Sequence, residues 1–272
     1  MSTLSSSKLN STNRIERLTI NSTTPRLNRS STRMSTNDNI PDLVPKDPVS
    51  QAAYTYAKTH LHPTILTHSL RVYLYAQAFS TIDLSTHPPF QPTSGDGEDR
   101  PSIFSTDASP RALAEPALFV ASIFHDMGTS PRHDHAQRFE VSGADAAVHF
   151  LRSRGESDAR LLRDVWTAIG LHTSPGLAER MAPLTRAVRM GPKADFGHEG
   201  YRSLLGEGFV EETEAGLPRG DIEKVLGDAV CGQAERRAGE EREAKAPAVS
   251  WPWNLLRCRL EEPEWRGVNK GF

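Results

Sequence analysis

The sequence predicts an all-α protein, and three observations predict it. Apolar residues recur at helical intervals along the chain, no segment alternates apolar and polar residues as a half-buried strand does, and Gly, Pro and capping residues separate the periodic segments. Asp47-Pro48 is an N-cap and first-turn pair that opens a helix through about His60. Pro63 starts a second helix, Thr64–Phe79, on which Ile65, Leu66, Leu70, Tyr73, Leu74 and Phe79 repeat at helical intervals. Residues 80–112 are rich in Pro, Ser, Gly and Asp and read as a loop insertion. A third helix covers about Leu113–Met127 and stops at Gly128; a fourth, about Val141–Arg154, ends at Gly155. A fifth, about Asp158–His172, ends in Thr-Ser-Pro-Gly. A sixth covers about Leu177–Met190 until Gly191-Pro192 breaks it, and Asp221–Ala238 reads as a seventh. Gly239–Ala246 is a solvated charge run, and Trp251–Phe272 reads as aromatic and irregular.

Composition divides the chain into two zones. Residues 1–45 are dominated by Ser, Thr and Arg, cannot bury enough apolar surface to offset their ordering entropy, and are expected to form a disordered N-terminal tail. Residues 46–272 form the folded domain. In 272 residues, 32 Lys and Arg nearly balance 34 Asp and Glu, which argues against a general partner for nucleic acid or anionic membranes. The most apolar run, Ala117–Phe124, is too short to span a bilayer. Two cysteines, Cys231 and Cys258, exclude a disulfide scaffold and a four-cysteine zinc module. A cytoplasmic protein is expected; the acid-poor, Arg- and Ser-rich start leaves mitochondrial import as the alternative.

The chemistry concentrates in His68, His125-Asp126, His172 and Asp195. His125-Asp126 closes an apolar helix, where ionisable groups are costly unless partnered. Both can reach one cation near the helix end, with His68 supplying a ligand from the neighbouring helix and Asp195 another from the chain after helix six. Imidazole and carboxylate ligands with open positions suit Zn²⁺, Mn²⁺ or Fe²⁺. Taken singly, each of these histidines is equally readable as a core or surface residue; the ordered pattern carries the inference.

That pattern, on an all-α chain, resembles the HD-domain superfamily of metal-dependent hydrolases. His68-Ser-Leu-Arg-Val-Tyr73, Phe124-His-Asp-Met-Gly128, Arg138-Phe-Glu-Val141 with Gly143-Ala144, Leu171-His-Thr-Ser174 and Asp195-Phe-Gly197 are similar to the cyanamide hydratase-like branch found in fungi. The similarity covers about residues 47–200 and implies an HD-type helical bundle. It implies His68, His125, Asp126 and Asp195 as ligands of one divalent metal, most simply Zn²⁺, with Fe²⁺ or Mn²⁺ as alternatives, and His172 as a further active-site group. Two departures bear on the reaction. Many phosphohydrolases of the superfamily carry Lys where Thr129 stands, and binuclear members add a His that is absent between His172 and Asp195.

The resemblance therefore implies hydration of a small nitrile, cyanamide to urea, by metal-activated water. His172, Thr173 and Thr129 are candidate donors to the developing anion, and Asp126 can shuttle a proton. Phe139, Glu140 and Trp166 are candidate pocket walls; core packing opposite Ile169 is the alternative for Trp166, and a favourable place at a helix N-terminus the alternative for Glu140. The competing enzyme is a phosphohydrolase acting on a nucleotide or phosphomonoester, and a catalytically silent helical interaction protein is the third reading. The partners expected are a small-molecule substrate and a second copy of the chain, a dimer or higher homo-oligomer, with no nucleic acid and no membrane.

Overall fold

Residues 41–82 and 113–264 are described in a computed structural model. Among them are eleven α-helices and no strand. Asp47 caps α1 (Pro48–His60), accepting from the Val49 and Ser50 amides. Helix α2 (Pro63–Ser80) follows with Pro at its first position. Helix α3 (Glu115–Phe124) is buried along every residue from Ala117 to Phe124. An all-round apolar helix has to sit inside, and α1, α2, α4 (Phe139–Ser153), α5 (Ala159–Leu171) and α6 (Pro183–Asp195) all pack on it. The most extensive helix pair is α2 with α6, followed by α4 with α5.

Two close backbone approaches set this packing. A Cβ on Gly128 would lie 1.9 Å from the Phe139 carbonyl oxygen, and one on Gly143 would lie 2.9 Å from the Phe124 carbonyl oxygen. The start of α4 thus rests directly on the turn after α3. On the other side, a Cβ on Gly191 would come within 2.9 Å of Val72 Cγ1 and of the Val72 carbonyl oxygen. Gly191 lets α6 press on α2, so Gly191-Pro192 is a packing surface and not the expected break. The sixth helix accordingly starts later, after a 3-10 turn at Ala178–Arg180, and carries Pro192 inside it through to Asp195.

Three further expectations change. Val44 is buried in the core, so the N-terminal tail does not extend to residue 45; its first 40 residues lie outside the described ones, as do residues 83–112 of the insertion. The charge run is helix α10 (Gly239–Lys245), and its last residue, Lys245, is buried against Asp134 at 2.8 Å and Gln233 at 3.1 Å. Residues expected to be irregular form α11 (Trp251–Glu261), capped by Ser250; Trp265 lies outside the described residues. Between α6 and these come α7 (Glu199–Leu205), α8 (Glu207–Gly216) and α9 (Ile222–Glu235). No helix among the described residues is long and apolar enough to cross a membrane.

Candidate metal centre

The fold brings His68, His125, Asp126, His172 and Asp195 to one buried place from four chain segments. His68 lies in the middle of α2. His125 and Asp126 leave the end of α3 and are held by the 3-10 turn Met127–Thr129, which Gly128 fits beneath α4. His172 follows α5, and Asp195 is the last residue of α6.

Hydrogen bonds fix the tautomer of each imidazole. His68 Nδ1 donates to Asp195 Oδ2 at 2.6 Å, His125 Nδ1 to the Ser122 carbonyl at 2.6 Å, and His172 Nδ1 to the Ile169 carbonyl at 2.7 Å. Each acceptor takes the Nδ1 proton, so every neutral ring presents a lone pair at Nε2. Two of those Nε2 atoms converge. His68 Nε2 and His125 Nε2 are 3.2 Å apart, a contact that repels unless a proton or cation lies between them. Asp126 Oδ2 sits 3.2 Å from His125 Nε2 and 3.5 Å from His68 Nε2, and it is buried without a hydrogen-bond partner. His172 Nε2 faces the other oxygen, Asp126 Oδ1, at 3.7 Å. His68, His125 and Asp126 together can hold a metal ion. An orphaned carboxylate oxygen among lone-pair nitrogens is a donor set that fits a divalent cation.

Asp195 stands outside this group. Its Oδ1 accepts from Arg71 Nε at 2.6 Å, and its Oδ2 accepts from Arg71 Nη2 at 2.9 Å as well as from His68 Nδ1. It meets His68 on the opposite ring edge from Nε2, so it orients the imidazole where direct ligation was expected. Arg71 in turn donates to the Leu217 and Pro218 carbonyls at 3.1 and 3.0 Å. Burial would raise the Asp195 carboxyl, but Arg71 and His68 outweigh it and hold it well below the usual carboxylate range. Asp126 follows the same logic: burial opposes ionisation, and His125, His172 and His68 overcome it. For His68, burial wins and lowers the imidazole. Burial also opposes the charged form of His125, yet Asp126 and the Ser122 carbonyl prevail and raise it.

A cavity of about 120 Å³ opens onto the cluster, lined by His68, His125, Asp126, His172 and Thr173 and by Arg189, Pro192, Lys193 and Phe196. Leu226 and Trp251 line it too, and exposed Gly197 and His198 mark its mouth. Arg189 pairs with Glu179 at 2.8 Å and donates to the His172 carbonyl at 3.0 Å, so it holds the histidine's backbone. Burial, with Arg189 nearby, lowers the half-buried Lys193 amine to about 8.

The remaining expected residues divide. Thr173 lines the cavity, but its hydroxyl donates to Glu140 Oε1 at 2.6 Å and accepts from Arg138 Nη2 at 3.2 Å, leaving one lone pair to offer. Thr129 Oγ1 donates to the Asp126 carbonyl at 2.7 Å and does not line the cavity. Neither hydroxyl is free to donate to a substrate. Glu140, fully buried and bound by Arg138, backs Thr173 and forms no wall. Phe139 also stands behind the cavity, edge-on to His172 with ring centroids 5.6 Å apart. Trp166 faces outward, 36% exposed, with its Nε1 donating to Asp145 at 2.8 Å, so neither the pocket nor the core reading describes it.

Sequence reasoning gave no role to Arg71, Arg189 or Trp251. Arg71 carried the one available signal, a charged residue one turn from His68 within an apolar stretch. The chain matches no known protein-family model and no curated protein, so the geometry of this centre is what a functional reading stands on.

Proposed function

We propose that the protein is a metal-dependent hydratase that adds water to a small nitrile, with cyanamide giving urea as the simplest case. The observation that carries it is the convergence of the His68 and His125 Nε2 lone pairs with the unpartnered Asp126 oxygen beside a cavity of about 120 Å³. That volume suits a molecule of a few heavy atoms and is small for a nucleotide. The resemblance of the His68, His125-Asp126 and Asp195 segments to HD-domain proteins supports the same reading. Zn²⁺ fits an imidazole-rich set with one carboxylate best, and Fe²⁺ or Mn²⁺ fit next.

When bound, such an ion makes water acidic enough to supply a nucleophile near neutral pH. The chain's own groups do the rest. The water oxygen bonds to the nitrile carbon as one π bond of C≡N opens and the nitrogen takes up a proton; the isourea so formed becomes urea when its hydroxyl proton moves to that nitrogen. His172 carries its lone pair at Nε2, so it accepts the proton from water there and returns it to the nitrogen. Asp126 Oδ1, 3.7 Å away, stabilises the imidazolium between the two transfers. Phe196, Trp251 and Leu226 keep bulk water from the reacting carbon.

Urea formation from cyanamide by Zn²⁺-loaded protein tests the proposal. Wild type is expected to turn over, and Asp126→Ala to lose at least about a hundredfold in rate together with its metal, read by elemental analysis. Metal without urea would overturn the hydratase reading and keep the centre. A phosphomonoesterase is the second reading, favoured by Lys193 in the cavity wall, and phosphate release from a small phosphomonoester would replace the first. A chain that takes up no metal would be the silent interaction protein.

A further inference from the structure

The charges around the cavity do not balance without a ligand. Arg71 is neutralised by Asp195, and Arg189 by Glu179. Asp126 contributes one negative charge to the centre, so a divalent ion held there leaves a positive excess of one. Lys193 adds another. It lines the same cavity, is half-buried, and has no carboxylate within ion-pair distance among the described residues; Glu179 is close enough to feel but is taken by Arg189. His198, at the mouth, supplies no negative charge. A half-buried cation without a counter-ion is a ready partner for an anion that enters the cavity.

We propose that the cavity is shaped for a small anionic substrate, a nitrile carrying a carboxylate, with the carboxylate against Lys193 Nζ and the nitrile carbon toward His68, His125 and Asp126. The nitrile part rests on the hydratase reading; the anionic part rests on the uncompensated lysine alone. Neutral cyanamide would then be a minimal substrate that leaves the lysine unused. Lys193 acts as a specificity-determining residue and takes no part in bond making.

Cyanoacetate and its neutral isostere cyanoacetamide separate the two parts. Dissociation constants for both are measured by calorimetry on Zn²⁺-loaded wild type, Lys193→Met and Lys193→Arg, alongside hydration rates. Wild type is expected to prefer cyanoacetate by at least about tenfold, Lys193→Met to lose that preference, and Lys193→Arg to recover most of it. A preference that stays within twofold of wild type in Lys193→Met overturns the inference, as does its absence in wild type. Lys193→Gln provides the same reading if the methionine variant does not fold. Hydration of both nitriles with no effect of Lys193→Met would keep the hydratase and remove the anionic class. A lysine-dependent binding preference without hydration would do the reverse.

Discussion

Each imidazole of the centre is aimed by a single acceptor, and the acceptor of His68 is itself charged. Asp195 sits between His68 Nδ1 and the Arg71 guanidinium, all three buried. Removing its charge leaves Arg71 without a counter-ion in the interior. Asp195→Asn is therefore expected to cost about 3–5 kcal/mol, read from urea unfolding of the metal-free protein. The pH dependence has a definite sign. The folded carboxyl lies below its ordinary value near 4, so its contribution is complete above about pH 4 and drains away as pH falls toward the folded value. The asparagine variant should lack that acid-side loss. An unfolding curve within 1 kcal/mol of wild type would show that Arg71 finds another partner.

At the scale of elements, the turn after α3 governs the centre because it carries two of its donors. Gly128 has no room for a methyl group against the Phe139 carbonyl, and the Gly128 carbonyl is itself held by Gln233 Nε2 at 2.8 Å. Gly128→Ala should push α4 away, destabilise the protein by about 2 kcal/mol or more, and weaken metal uptake in whatever remains folded. A normal melting temperature with normal metal content would contradict the clamp. The same elements show what was legible in the sequence. The helices from α1 to α5 were readable because their apolar spacing faces one core, and His125-Asp126 stood out because charge at the end of an apolar run needs a reason. Pro192 was misread because a local rule for proline does not register Val72, on another helix, against Gly191. Helix α10 is hidden in the sequence because charge dominates its composition and the burial of Lys245 depends on Asp134, and α11 because its tryptophans and proline follow no clear helical period. The role of Arg71 depends on a residue 124 positions away, which no local spacing reveals.

For the molecule as a whole, His133 sets a pH response away from the centre. His133 lies in a groove with Tyr56, His135 and Arg132, and its Nε2 is 3.0 Å from the Tyr56 hydroxyl. Burial, with His135, Arg132 and His60 nearby, lowers it from 6.5 to about 4. The fold therefore favours neutral His133. The stability it supports is complete above about pH 6.5 and is lost progressively as pH falls toward 4, while the unfolded chain takes up the proton. After allowance for solvent screening at a groove wall the effect is about 1–2 kcal/mol. His133→Asn should flatten the decline in melting temperature between pH 6.5 and 4; an unchanged slope would assign it to other groups.

The junction of α2 and α6 has a consequence for how such a cavity diversifies. The two helices are fastened twice within little more than a turn, by backbone contact at Gly191 and by the Arg71–Asp195 pair. Pro192 and Lys193, which line the cavity, lie between those fastenings, and His68 lies on the helix opposite. His68 and this inner wall thus belong to one stiff body, and neither can yield to a larger guest without undoing the other. The accommodating side is the rim, where Gly197 takes a positive φ of 80° at the corner into α7 and His198 stands exposed. New substrate ranges on this scaffold should arise by substitution along that rim, while the interior keeps its dimensions.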